Sequence, residues 1–307
     1  MTSIERDRII ISSPAPTYDL EAPSPRAVMR RRALTHPGFL FGATIMLATV
    51  LIAVFAPLLT PYDPYAQDLS QRLIPPVWVA KGTWVHLFGT DAMGRDYLTR
   101  LMYGARISLT IGFGAATIAG VIGTSLGLIG GYFGGKVDAV VMYLVNVKLA
   151  LPGILVALSL IEVFGGSVFS VTLILGVLFW DRFIVVTRSV TQQTRVADYV
   201  AAAEAVGASR LRIILGEVLP NVLNHIIVIA SLEMAVAILV EAALSFLGLG
   251  IRPPTPSWGL MISEGRNFMF FQPYLVAVPG IAIFILVIAI NMLGDGIRDI
   301  TAPEGRN

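Results

Sequence analysis

The chain has 307 residues, of which 55% are apolar and 14% charged, with a mean hydropathy of +0.76. A soluble domain keeps about 25% of its residues charged, so a soluble enzyme and a disordered chain are both excluded and a polytopic membrane protein remains. The net charge of +2 gives no case for nucleic acid, and the absence of cysteine removes disulfides, thiol catalysis and Cys-ligated metals.

Residues 1–37 read as a cytoplasmic N-terminal tail, polar and loose over 1–25, ending in Arg26, Arg30, Arg31 and Arg32. Residues 38–59 carry no charge and form the first transmembrane helix; the stretch is longer than a signal-peptide core and lacks a clear cleavage site. Residues 60–106 form an extracytoplasmic loop. Within it, Asp91 is placed to cap an amphipathic helix over 92–106, with Leu98, Leu101 and Met102 on its apolar face, lying at the membrane interface. Residues 107–303 form a five-helix core. Its spans are expected at 107–135, 138–162, 167–187, 223–247 and 268–294. In the first of these, Ala115, Ala119, Gly123, Gly127 and Gly131 recur every four residues, a ridge of small side chains that lets another helix approach closely. The ridge runs into Gly130–Val137, which matches G-x-x-x-x-G-K but has Val137 where a phosphate loop needs Ser or Thr, and follows a membrane helix rather than a strand. It reads as a glycine-rich turn, so no nucleotide site is encoded. His36, His86 and His225 lie far apart and give no metal site.

The arginine-rich flank of the first span places that end inside. Threading six spans leaves 13 Lys/Arg in the inside segments against 7 in the outside loops, with both termini cytoplasmic. Charges inside spans are functional candidates. Lys148 and Glu233 each lie about ten residues into their spans, about 15 Å deep, so a pair across the bundle is compatible with their heights. A structural ion pair, a lining of the substrate path and an ion relay are all open. Asp181 and Arg182 lie nearer the inner surface and are expected to snorkel or to pair locally.

The inside loop at 188–222 divides into two short helices. Asp198–Val206 is alanine-rich, Gly207 suits a left-handed helix end, Ser209 can cap a second helix from Arg210, and Pro220 marks a break before the fifth span. Such a knob fits a groove on a partner.

This loop resembles the EAA loop of ABC-transporter permeases, with pattern E-A-A-x3-G-x9-I-x-L-P. Ala202, Ala203, Gly207, Leu219 and Pro220 match; Ala201 replaces the Glu and Glu217 the Ile. The flanks are similar to the C-type permease subunit of dipeptide/oligopeptide/nickel importers. The shared motifs are GTDAMGRD at Gly89–Asp96, GGYFGG at Gly130–Gly135, EAALSFLGLG at Glu241–Gly250, PPTPSWG at Pro253–Gly259 and NMLGDGIRD at Asn291–Asp299. Tyr143, Asn146, Val185 and Lys148 depart from it.

The resemblance implies an all-α membrane protein with the type I importer permease fold in the cytoplasmic (inner) membrane, catalysing no covalent chemistry. It implies a homologous B-type permease partner, ATPase subunits that carry ATP and magnesium and dock on the EAA loop, and an extracytoplasmic solute-binding protein delivering di- or oligopeptides. Asp91, Arg95, Asp96 and Trp258 are then candidate contacts for that binding protein, with a structural brace as the alternative. Nickel or another chelated metal is an alternative cargo. An ion-coupled secondary transporter using Lys148 and Glu233 is the rival from another class.

Overall fold

The computed structural model describes residues 25–301. The loose tail expected at 1–25 falls almost wholly outside them; its end, α1 (Pro25–Thr35), is helical. The described residues form helices and loops with no named strand. α2 (Pro37–Leu59) begins where His36 Nδ1 accepts the Phe39 amide at 3.0 Å, with Pro37 at the first turn, where a missing N–H loses nothing. α3 spans Tyr97–Phe133. It is followed by α4 (Gly135–Leu149), α5 (Gly153–Phe164), α6 (Val168–Leu178) and α7 (Trp180–Arg195). The short α8 (Asp198–Ala205) and α9 (Arg210–Ile213) precede α10 (Leu219–Phe246), α11 (Trp258–Gly265) and α12 (Tyr274–Thr301).

Five continuous segments are long and apolar enough to cross a membrane: α2, α3, α6–α7, α9–α10 and α12. The expected third span is instead α4 and α5, bent by 80°. Pro152 has no N–H to continue the ladder and disfavours helical geometry at Leu151, which breaks the helix there. Contacts at its ends show that the broken pair still crosses. Gly134, before α4, lies against Arg195 at the end of α7. Gly166, after α5, accepts the Arg252 amide at 3.2 Å beyond the far end of α10. The chain therefore passes six times between two ends of the bundle. One end holds the α2–α3 contact of Thr60 with Thr99, at 2.5 Å. The other holds His36 against Asp299 at 3.2 Å and Tyr132 against Glu204 at 3.2 Å. Both ends of the described chain and the α8–α9 knob thus share one end of the bundle.

Three local expectations are corrected. No separate interfacial helix covers 92–106: α3 starts at Tyr97 and runs unbroken into the second span, because Asp96 rather than Asp91 is its cap, accepting the Thr99 amide at 2.8 Å. Pro220 does not break the chain. The Leu219 amide reaches back to Ile214 O in a π-turn (Ile214–Val218), and the Asn221 side-chain amide donates to Glu217 O at 2.7 Å, so the helix carries on through the proline. The last span starts at Tyr274 rather than Phe268 and runs past Gly294 to Thr301.

The small-residue ridge packs within this chain. Gly123 faces Trp180, Phe183 and Ile184, Gly127 faces Ile184 and Thr187, and Gly131 faces Arg188 and Thr191. α3 and α7 thus touch backbone to backbone, which larger side chains would prevent. Ala115 and Ala119 continue the seam, fully buried against α6 and Phe183.

Candidate functional site

The knob is built as its residues suggest. α8 ends at Ala205, and Gly207 follows with φ +83°, a left-handed turn open to glycine without strain. Its amide donates to Glu204 O at 2.9 Å and the Ala208 amide to Ala203 O at 3.1 Å, satisfying the last carbonyls of α8. Ser209 Oγ then accepts the Arg212 amide and starts α9. Ala202, Ala203, Gly207 and Glu217 come together around one open concavity of about 410 Å³ with Arg212. Ala201 is exposed, while Leu219 is half-buried and Pro220 exposed at the root of α10. Val200, Ile213 and Val218 anchor the knob on Leu128 and Tyr132 of α3.

At the opposite end, GTDAMGRD forms a tight loop. Gly94 adopts φ +74° and lies so close to the Asp68 carbonyl that no side chain fits. Asp91 Oδ1 accepts the amides of Met93 and Arg95 at 2.8 and 3.0 Å. Its Oδ2 accepts Arg95 Nε at 2.6 Å and Arg100 Nη1 at 2.7 Å. Both guanidinium groups also reach Glu264 Oε2, Arg95 at 3.0 Å and Arg100 at 2.9 Å. Asp96 is shared between the α3 cap and His86 Nδ1 at 2.9 Å. Trp258 Nε1 donates to Leu101 O at 2.9 Å. Asp91, Arg95, Asp96 and Trp258 are all buried, so of the two readings the geometry favours the brace, at the end of the bundle opposite the knob. Sequence reasoning passed over the partner that closes this cluster, Glu264, because 169 residues separate it from Arg95. Burial pushes the Glu264 carboxyl up to about 7, aided by Asp91 and opposed by Arg95.

Glu241 is a second residue whose partners lie outside its own stretch of sequence. It is buried near the end of α10 and accepts Ser245 Oγ at 2.7 Å and Ser257 Oγ at 2.9 Å. One carboxylate thereby ties the EAALSFLGLG helix end to the PPTPSWG loop.

Lys148 and Glu233 do not pair with each other. Lys148 Nζ bonds Asp181, and Glu233 Oε1 accepts Arg182 Nη1 at 3.0 Å. Asp181 and Arg182 are adjacent on α7, so each takes the opposite charge from a different neighbouring helix. The result is a row Lys148–Asp181–Arg182–Glu233 across α4, α7 and α10. Among the described residues no group of three or more His, Cys, Asp or Glu is arranged to hold a metal.

Residues 123–306 match the family described as binding-protein-dependent transport system inner membrane component. Residues 24–76 match the N-terminal TM domain of oligopeptide transport permease C. The dipeptide transport system permease protein DppC of Haemophilus influenzae is 39% identical over 267 residues, covering 87% of this chain and 90% of that protein. The di/tripeptide transport system permease protein DppC of Pseudomonas aeruginosa is 37% identical, covering 96% of this chain and 98% of that protein. The Escherichia coli DppC is 39% identical over 88% of this chain and 90% of its own length. A chain from inward-facing structures of the MetNI methionine ABC transporter superposes with a TM-score of 0.53 at 19% identity, covering 66% of this chain and 97% of that one, a likeness of fold. With six helical passages carrying the shared motifs, the chain belongs to the binding-protein-dependent transport system inner membrane component family, as a multi-pass permease component of an ABC importer.

Proposed function

We propose that this chain is one of two permease subunits of an ATP-driven importer of di- and oligopeptides. A homologous B-type permease completes the path, and an extracytoplasmic solute-binding protein delivers the peptide. The α8–Gly207–α9 knob docks on separate ATPase subunits, which hold ATP and magnesium; this chain carries no cofactor of its own. The knob end of the bundle is the cytoplasmic end, in keeping with the arginine-rich approach to α2 and the excess of Lys/Arg on that side. The carrying observation is the knob itself: a capped helix pair beside an open concavity, at the same end as both ends of the described chain, in a protein whose relatives are named as peptide permeases.

The test is purification of the tagged chain in mild detergent with identification of what accompanies it. Recovery of a second permease and one or two ATPases is the expected result. A chain that runs alone in several mild detergents, and still moves solute down an ion gradient in liposomes, overturns the proposal. Side is tested separately. The chain has no cysteine, so Ser209→Cys should react with an impermeant thiol reagent only from the cytoplasm and Trp84→Cys, at an exposed position, only from outside; reaction of both from one side overturns the orientation.

A further inference from the structure

We propose that Arg182 is a specificity-determining residue of the translocation path, the point at which its wall reads a carboxylate on the passing solute; this rests on the importer reading above.

Arg182 lies halfway along the 28-residue segment Val168–Arg195, about 20 Å from either end at about 1.5 Å per residue. Glu233 is 13 residues short of the α10 terminus at Phe246, at matching depth. The two ends of the pair differ sharply. The Glu233 side chain is 3% exposed and that of Arg182 is 62% exposed. Among the described residues, Arg182 donates through Nη1 alone, and its Nε and Nη2 have no protein acceptor. Asp181 does not neutralise this edge, because it is engaged by Lys148. The row as a whole is balanced, two cations with two anions, and its most exposed member is a guanidinium.

The contact with Glu233, about ten residues into the apolar stretch 223–247, sets Arg182 deeper than its own sequence position suggests, and a guanidinium at that depth faces protein or a water-filled cavity rather than acyl chains. The two sides of the α7–α10 seam show which. Phe183 packs on Ile229, with Val186 and Ile226 beside them, setting the two antiparallel helices side by side. On one side of that seam lies a broad apolar groove, with Phe183, Leu223, Ile227 and Ala230 among its walls. The other side is different. Val185, Ser189 and Gln193 follow Arg182 along the exposed stripe of α7, while Asn221 and His225 lie on the exposed stripe of α10 with Leu232 nearer Glu233, so the polar side chains gather toward the knob end. Because the helices run in opposite directions, helical periodicity turns both polar stripes to the same side of the seam. From Ser189 and His225 to the knob end the stripe is polar and suits water rather than lipid, and Arg182 stands at its edge, past the exposed Val185. A guanidinium edge left free on a wetted wall matches a carboxylate, which it can hold through two N–H donors.

The experiment uses the complete transporter in liposomes, with its partner permease, ATPases and binding protein. Uptake of Ala-Glu, Ala-Gln and Ala-Lys is compared for the native chain, Arg182→Gln and Arg182→Lys. The binding protein is unchanged throughout, so its own preference cancels in each mutant-to-native ratio. Arg182→Gln should lower the Ala-Glu ratio by about tenfold more than the Ala-Lys ratio, and Arg182→Lys should keep the native order. Because Arg182→Gln leaves Glu233 buried without its partner, the double variant Arg182→Gln/Glu233→Gln is run beside it and should show the same charge-selective loss. Equal losses for all three peptides, or none, in a double variant that assembles normally overturn the proposal. So does an Arg182→Cys chain that stays closed to an aqueous sulfonate thiol reagent in the assembled transporter, since the site would then be sealed between subunits. If the native assembly takes up none of the three peptides, the peptide reading itself falls, and this proposal with it.

Discussion

Replacing Gly123 by alanine tests the α3–α7 seam most directly. An added Cβ would sit 2.5 Å from the Trp180 carbonyl oxygen and closer still to the Phe183 Cβ. Ordinary non-bonded contacts lie near ~3.5 Å, so the helices must part by about 1 Å. Neither obstacle is the free end of a side chain, and rotamer changes cannot relieve it. Overpacking of this kind costs about 1–3 kcal/mol, while exchanging glycine for alanine in a helix returns up to about 1 kcal/mol. The net expectation is a loss of about 1–2 kcal/mol, read as a fall of several degrees in the thermal unfolding of the detergent-solubilised protein. Gly280 provides the control, since a Cβ there meets nothing within 4 Å. Gly280→Ala should be neutral or stabilising by about 0.5–1 kcal/mol. Equal melting temperatures for Gly123→Ala and the native chain would refute the close seam.

Three further outcomes follow from the two ends of the bundle. Glu264 is held near 7 in the folded chain against an ordinary 4.5. Its folded form therefore keeps a proton that the unfolded chain has released, and stability should fall as pH rises from about 4.5 to about 7, by on the order of 2–3 kcal/mol. Glu264→Gln should flatten that slope in a pH series of melting curves, and an unchanged slope would assign it elsewhere. Glu241→Ala strands the Ser245 and Ser257 hydroxyls and opens a cavity, so it should destabilise by about 2–4 kcal/mol, measured by the same melting assay. Gly207→Ala meets no neighbour but places a side chain at φ +83°, a strain of about 1–2 kcal/mol confined to the knob. It should lower the melting temperature by a few degrees, while Gly207→Trp also lowers the uptake obtained per ATP hydrolysed; uptake at the native ratio for the tryptophan variant would remove the knob from coupling.

What could be read from the sequence was local. The Asp198, Gly207 and Ser209 signals set the knob because each acts on backbone groups within four residues of itself. The apolar lengths located the spans for the same reason. Pairings that join distant segments were not readable. Lys148 and Glu233 stand at compatible heights, but rotation about the helix axes, set by the α3–α7 and α7–α10 seams, hands Lys148 to Asp181 and Glu233 to Arg182. The GTDAMGRD motif was misread for a related reason. Asp91 resembles a helix cap, yet two arginines and two backbone amides claim its oxygens, leaving Asp96 to start the helix. Pro220 looked like a terminus because the π-turn that absorbs it has no signature of its own.

That π-turn sits at the base of a long shaft. From Arg210 to Phe246 the chain runs 37 residues without a break, about 55 Å end to end, with the knob at one extremity and the Glu241 clamp near the other. Such a shaft transmits twist. A π-turn holds one residue more per turn than its surroundings, so tightening Ile214–Val218 into ordinary α geometry would rotate everything beyond it by about 100°. Glu233 would be carried away from Arg182, and the His225 stripe would leave its side of the seam. A small rearrangement of backbone hydrogen bonds beside the knob is therefore geometrically equivalent to turning the far wall of the bundle through more than a quarter of a revolution.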